Sequence, residues 1–323
     1  MDSEVSPGLL VRYCHRVADV SVSPTLLRVL MHYISCADVV HLSAVYSFPT
    51  IPTLLACKIL HKPLVWSPRG ALQRWKGARR MHLKAAWELA CGIAAPKRLV
   101  LHVTSEQELR DSRARLPGVE AVVIPNGVEM PQRVSHRKNE YEWRFAYLGR
   151  LDPIKGIENL LEGYDMVRRR LDRASSLVIA GDGDKRYAER IAFQVRERNL
   201  APKVQMIGHV SGDAKKEFFE HTDVLIAPSH TENFGFVVAE ALAHGVPVIA
   251  SRGTPWSRVE DIGCGLWVDN DSASLATAMK RIIAMPLHEM GRRGREWMES
   301  EFAWDTVAHH MVRVYHDLLS RAS

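Results

Sequence analysis

The 323-residue sequence lacks long apolar runs, carries only five cysteines, and keeps its excess positive charge out of more than half its length. Its apolar stretches fall well short of the about 20 residues that a membrane-spanning helix needs, so no such span is expected. No secretory signal is read in its opening residues, and the expected location is cytoplasmic. Cys14, Cys36, Cys57, Cys91 and Cys264 are odd in number, scattered, and without C-x-x-C spacing. That pattern argues for reduced thiols, against both a disulfide framework and a zinc site. No nucleic-acid-binding signature accompanies the basic residues, and nucleic acid is not expected as a partner. What remains has ordinary globular composition, at a length that suits two domains of about 150 residues each.

The net charge of +6 is unevenly placed. Residues 1–140 hold 19 Lys and Arg against 11 Asp and Glu, whereas the remainder holds 24 against 26. Between Arg69 and Arg98 lie Arg74, Lys76, Arg79, Arg80, Lys84 and Lys97 against Glu88 alone, with Leu72, Trp75, Met81, Leu83, Trp87 and Leu89 interleaved. The stretch reads either as a solvated helix face or as a segment seated on an anionic membrane surface.

Short apolar runs alternate with helical patterns along the chain. Strands are expected at Val11–His15, 38–42, 64–66, 99–103 and 121–124, with helices over Pro24–Ser35, Pro49–His61 and Glu106–Arg115. After a polar stretch at Pro125–Tyr141, read as a linker, six more strands follow, near Phe145, Leu177, Val204, Val224, Val246 and Leu266. Alternation of this kind predicts parallel sheets covered on both faces. Arg292–Trp304 and Val307–Leu319 read as amphipathic helices. In the second, Val307, Met311, Val314, Tyr315 and Leu318 form one apolar series.

Several turns after strands carry chemistry. Glu232 and Glu240 lie eight residues apart around a helix expected to start near Gly235 and stop at Gly245. The Asn233, Phe234 and Gly235 amides then point forward from a positive helix end, suited to gripping hydroxyls, while the second acid suits a ribose diol. Two solvated helix-end charges are the plainer alternative. Arg150 and Lys155 flank another strand-to-helix turn and read as a diphosphate clamp or as solvated loop charges. Ser67-Pro68-Arg69-Gly70 is a turn that aims Arg69 at the ligand side of a parallel sheet, or a turn and nothing more. His41 reads as a hydrogen-bonded core histidine ahead of a site residue. Gly181-Asp182-Gly183 imitates a dinucleotide fingerprint, but Arg186 occupies the third glycine position, which weakens a dehydrogenase reading. Asp269-Asn270-Asp271 imitates a metal motif, but its place before Ser272 suits a helix N-cap.

The run from Glu232 to Ala250 resembles the E-x7-E signature of retaining glycosyltransferases of family 4. Gly149-Arg150-Leu151 with Lys155-Gly156, Gly181-Asp182-Gly183, Gly208-His209-Val210 and Ile124-Pro125-Asn126-Gly127-Val128 are similar to that family in order and spacing. The resemblance implies an α/β GT-B fold, two Rossmann-like parallel-sheet domains facing a cleft. Residues 1–138 would form the acceptor-side domain, 139–304 the nucleotide-sugar domain, and 305–323 a helix packing back on the first.

The resemblance further implies transfer of a hexose from a UDP- or GDP-sugar to a sugar or lipid-linked acceptor, with retention and without an essential metal or other cofactor. Arg150 and Lys155 would neutralise the leaving diphosphate, Glu232 would contact donor hydroxyls, and Glu240 would hold the ribose. Gly149 and Gly181 would border the donor, and Gly208, His209 and Val210 would line the nucleobase through main-chain groups. Arg69 matches a subgroup with Pro-Arg-Gly where other members have a sugar-contacting histidine. Family members open with a further strand, glycine-rich loop and helix, so the first domain is expected to be N-terminally truncated. The alternative is therefore a catalytically impaired nucleotide-sugar- or membrane-binding fragment.

Overall fold

The computed structural model describes residues 2–17, 22–73, 81–134 and 141–321, with side chains from residue 6 onward. They divide into two compact units, Met1–Ile124 with His309–Ser323, and Pro125–Ala308. The first part of the stretch read as a linker falls in the second unit, where Val128 bridges to Ala303. Residues 135–140 of that stretch lie outside the described residues.

The first unit opens with β1 (Asp2–Ser6) and β2 (Leu9–Arg12), an antiparallel hairpin. This corrects the strand expected over Val11–His15. Val11 pairs with Ser3 across a turn in which Gly8 has φ 79°, and the hairpin forms a sheet of its own. There follow α1 (Pro24–Cys36), β3 (Val40–Ser43), α2 (Thr50–Ile59), β4 (Leu64–Ser67), α3 (Met81–Ala94), β5 (Leu99–Val103), α4 (Glu106–Arg115) and β6 (Glu120–Val123). Ser23 caps α1 by accepting from Leu26 N, with Pro24 in the first helical position, where its missing N–H costs nothing. Among the described residues β3, β4, β5 and β6 pair in that order, all parallel. Every residue of β4 and β5 is buried, as befits central strands covered on both faces.

One face of this sheet carries Trp66, Leu101 and the helix residues Leu54, Cys57 and Cys91. Burial pushes the Cys57 and Cys91 thiols up to about 11 and about 12, which suits inert core thiols. Trp87 also faces inward, donating its indole N–H to the Val45 carbonyl at 2.8 Å. Of the two tryptophans in the basic stretch it is therefore structural. Trp75, with Arg74, Lys76, Arg79 and Arg80, lies outside the described residues.

The other face meets the C-terminal residues of α12 (Trp304–Ser320), where Leu318 packs on Val65 and Val100, flanked by Met311, Val314 and Tyr315. Trp304 and Asp305, expected to join the helices Arg292–Trp304 and Val307–Leu319, instead form the first turn of this helix. The preceding helix is α11 (Leu287–Trp297), followed by a π-helical turn at Met298–Phe302.

Beside that apolar contact runs a polar chain. His102 Nε2 must donate to the Ile124 carbonyl (2.9 Å), since a carbonyl only accepts. His102 Nδ1 then accepts from Ser67 Oγ (2.7 Å), Ser67 accepts from His41 Nε2 (2.6 Å), and His41 Nδ1 accepts from the Tyr315 hydroxyl (2.6 Å). Both imidazoles are neutral in this arrangement. Burial, the two rings' mutual proximity and Arg69 hold His41 down to about 4, and burial and Arg69 lower His102. A folded-state value below the unfolded one gives stability that is present above about pH 6.5 and lost as pH falls toward 4. The melting temperature of wild type is expected to drop over that window, and that of His102→Gln to drop less; parallel curves would show that the chain does not govern acid stability.

The second unit contains β7 (Glu142–Leu148), α5 (Ile157–Val167), β8 (Ala174–Ala180), α6 (Lys185–Glu197), β9 (Val204–Gly208), α7 (Gly212–Glu220), β10 (Val224–Ala227), α8 (Phe236–Ala243), β11 (Val248–Ser251), α9 (Arg258–Ile262), β12 (Gly265–Val268) and α10 (Ser272–Ile282), before α11. Its parallel sheet has the order β12-β11-β10-β7-β8-β9 among the described residues. Two cores cover its faces, one through α5 and α10, the other through α8 and α9. In this doubly-wound order the chain leaves β7 toward one edge and returns at β10 toward the other. A crevice therefore opens at their carboxyl ends, the place where such sheets bind ligands.

Candidate functional site

Residues that follow β7 and β10 meet at that switch point. After β7, Asp152 caps a single 3-10 turn, Pro153–Lys155, by accepting from Ile154 N (3.0 Å). Gly156 then reverses the chain at φ 64°, and a Cβ there would sit 2.2 Å from the Pro228 carbonyl. This close approach sets Lys155 against the loop after β10. Its ammonium donates to the Glu232 carboxylate, which also accepts from Ser229 Oγ at 3.2 Å. Lys155 and Glu232 are only 20% and 21% exposed, so cation and acid neutralise each other in a partly desolvated place. The cavity beside them, bordered also by Tyr147, Gly235 and Thr254, holds about 20 Å³.

The Glu232 backbone is fixed by its N–H to the Gly253 carbonyl (2.8 Å). Gly235, at φ 78°, turns the chain into α8, whose first amides have no acceptor within the helix. The helix ends as expected at Gly245, where Gly245 N donates to Leu242 O and Val246 N to Ala241 O, both at 2.8 Å. The Phe234 ring belongs to the core, against Phe236, Trp256 and Phe302, and its carbonyl accepts from Trp256 Nε1 (2.5 Å). Any ligand contact by Phe234 thus falls to its main chain.

Glu240 is half-buried in the second turn of α8 and accepts from Lys215 Nζ on α7 (2.6 Å). Arg150 is 66% exposed, with Asp152 3.3 Å away, so it and Lys155 do not form one clamp in this state. Three glycines step across neighbouring strand ends: Gly149 N donates to Ala180 O (3.0 Å), and Gly181 N to Gly208 O (2.7 Å). His209 is exposed, and Val210 packs at the edge of the core beneath α8.

Arg69 belongs to the first unit. It has φ 54°, followed by Gly70 at 78°, a left-handed pair costly for an arginine. Glu108, fully buried, secures the turn: Gly70 N donates to Oε1 (2.5 Å), and Thr104 N and Oγ1 donate to Oε2 (2.8 and 2.7 Å). Asp271 caps α10, as expected, by accepting from Ser274 N (2.9 Å), and Asp269 lies 3.4 Å from Arg252. In the second apparent motif, the Asp182 carbonyl accepts from Leu151 N (2.7 Å).

Lys215, Ser229 and Glu108 were not singled out in the sequence. Glu108 had a signal, the S-x-x-E pattern from Ser105, whose hydroxyl accepts from Glu108 N (3.1 Å). Lys215 and Ser229 had none beyond their proximity to the paired glutamates in space.

A chain with two parallel sheets in separate units, one of them doubly wound with paired acids and lysines at its switch point, has the architecture of GT-B glycosyltransferases. The chain belongs to the glycosyl transferases group 1 family, whose model matches residues 129–297. It is 33% identical over 183 residues to an uncharacterized glycosyltransferase of Methanocaldococcus jannaschii, covering 54% of this chain and 45% of that protein. It is 32% identical over 237 residues to the GDP-mannose-dependent alpha-(1-6)-phosphatidylinositol monomannoside mannosyltransferase of Mycobacterium tuberculosis, covering 65% and 59%. The chain thus spans about half the length of these curated relatives. Among solved structures, the sucrose-phosphate synthase of Thermosynechococcus elongatus has a TM-score of 0.78 at 23% identity, covering 100% of this chain and 86% of that one. Anabaena HepE in complex with UDP-glucose has a TM-score of 0.70 at 16% identity, covering 91% and 82%. At such identities these structures establish the shared fold. No helix among the described residues is long and apolar enough to cross a membrane.

Proposed function

We propose that the chain transfers a hexose from a UDP- or GDP-sugar to an acceptor hydroxyl with retention of configuration, in polysaccharide, lipopolysaccharide or glycolipid assembly. The observation that carries this reading is the Lys155–Glu232 pair at the β7/β10 switch point. A diphosphate competes with Glu232 for the ammonium, and the released carboxylate is then free to accept from sugar hydroxyls. Lys155, joined by Arg150, stabilises charge that grows on the leaving phosphate. Glu240, held by Lys215, takes the ribose. The leaving phosphate accepts the acceptor's proton, so no protein nucleophile is required. HepE was solved with UDP-glucose and the mycobacterial relative is GDP-mannose-dependent, which favours these two donor classes. No metal enters the scheme, and EDTA is expected to leave turnover unchanged; abolished activity would return Asp269 and Asp271 to a metal role.

The deciding experiment is calorimetry with UDP and GDP followed by donor hydrolysis. Glu240→Ala is expected to weaken nucleotide binding about 10- to 150-fold, the worth of a charge-assisted hydrogen bond, while Glu232→Ala lowers turnover more than binding. Unchanged nucleotide affinity in Glu240→Ala overturns the assignment. Nucleotide binding without hydrolysis or transfer would instead support a non-catalytic module.

A second reading places the acceptor at an anionic membrane. α3, which lies within the basic stretch of the sequence, exposes Leu83, Leu89 and Ile93 at 67–68%. Each cation near such a surface contributes about 1 kcal/mol. Replacing Arg74, Lys76, Arg79 and Arg80 by Gln is expected to release the protein from anionic vesicles with nucleotide affinity intact, and added salt to weaken wild-type binding. Equal co-sedimentation of wild type and variant returns the cluster to a solvated face.

A further inference from the structure

Among the described residues β12 is one of the two edge strands of the six-stranded sheet, and a cleft of about 410 Å³ borders it. α9 and α10 wall this edge from opposite faces, since Val259 belongs to one core and Leu275 to the other. The volume lies within the about 300–1,000 Å³ typical of small-molecule clefts.

The chemistry of the walls is mixed. Arg252 and Arg281 supply guanidiniums, Glu260 and Asp269 carboxylates, Thr277 a hydroxyl and Trp267 an indole. Trp267 is held in place by its N–H to the Thr254 carbonyl (3.3 Å). The Arg252 guanidinium lies 5.2 Å from the centre of that ring and 3.4 Å from Asp269. Planar polar groups and an aromatic ring are thus joined at one wall.

Two charges of each sign leave no net field to gather an anion or a cation. So many polar groups would be stripped of water by an acyl chain without compensation. A saccharide satisfies both kinds of wall. Its C–H face packs on flat apolar surface, and neighbouring hydroxyls match the two-point geometry of guanidinium and carboxylate.

Position adds a second argument. Asp269 is followed by Asn270, whose Nδ2 donates to the Pro228 carbonyl (2.5 Å) and lies 3.3 Å from His230 Nδ1. Pro228 and His230 stand on the loop that carries Glu232. The cleft therefore begins one residue from the rim of the switch-point site.

We propose that the β12-edge cleft is a saccharide-binding subsite that holds the distal sugars of an oligosaccharide acceptor, an inference that rests on the glycosyl-transfer reading above. Its reach from the rim would let the reacting end lie at the switch point while earlier sugars occupy the edge.

The test is calorimetric titration of the full chain with maltotetraose, cellotetraose, α-1,6-mannotetraose and chitotetraose, with UDP and GDP titrated in parallel. At least one tetrasaccharide is expected to bind. Thr277→Trp, which fills the cleft from an exposed helix position, and Arg281→Ala are expected to weaken it about tenfold or more, with nucleotide affinity unchanged. No tetrasaccharide binding by wild type, or equal binding by wild type and both variants, overturns the subsite. Tetrasaccharide binding lost in the variants but with neither nucleotide bound sinks the transfer reading and leaves the subsite standing.

Discussion

Lys155→Ala is expected to lower turnover about 10²- to 10³-fold at saturating donor while the protein remains folded. The magnitude is that of removing one preorganised group aimed at charge that develops in the transition state. Lys155 fits that role because it sits on a capped turn, 20% exposed, against Glu232, so it is already ordered and partly desolvated before a ligand arrives. Arg150 is 66% exposed and tied to Asp152, and its removal is expected to cost less. Affinity should fall along with turnover in both variants, because the ground-state diphosphate is also charged. Steady-state kinetics on the two variants decides the matter. Near-normal turnover in Lys155→Ala would place the phosphate clamp elsewhere.

The second large effect concerns the fold beneath the site. A Cβ on Gly181 would lie 1.8 Å from the Gly149 carbonyl oxygen, and Gly181 has φ 135°, a conformation side chains rarely adopt. Both obstacles are backbone, so neither yields to a rotamer change. Strain and overpacking each cost about 1–3 kcal/mol, a large share of the 5–15 kcal/mol of a typical domain. Gly181→Ala is therefore expected to shift the urea midpoint strongly downward or to prevent folding. Gly208 is the control: it has φ 74° but open space around its Cβ position, so Gly208→Ala should cost only about 1–2 kcal/mol. Equal midpoints for the two variants would show that contact with Gly149 is not what Gly181 avoids.

The parts of the fold legible in the sequence are those governed by short-range pattern. Runs such as Val224-Leu225-Ile226-Ala227 are buried on both faces and so are apolar throughout, which marks them as parallel strands. Gly245 and Asp271 were readable as helix punctuation because capping depends on a residue and its neighbours. Val11 misled because an apolar pair next to a turn fits either sheet type, and the Pro7-Gly8 turn was the better clue to a hairpin. At the site, the glutamates and cations stand out through spacing, but their pairing does not. That Lys155 faces Glu232 and Lys215 faces Glu240 depends on which strands are neighbours, and nothing in a period of two or 3.6 encodes it.

The aromatic group under the Glu232 loop has an optical consequence. Trp256 is 2% exposed, and its indole N–H holds the Phe234 carbonyl, two residues from Glu232. Phe234, Trp297 and Phe302 surround the same indole within 6 Å, centre to centre. An indole in such a place emits at short wavelength, and its emission responds to movement of the carbonyl it holds. Titration with UDP or GDP is therefore expected to change the tryptophan emission, and Trp256→Phe to diminish that change; an equal change in wild type and variant would place the signal in another of the eight tryptophans.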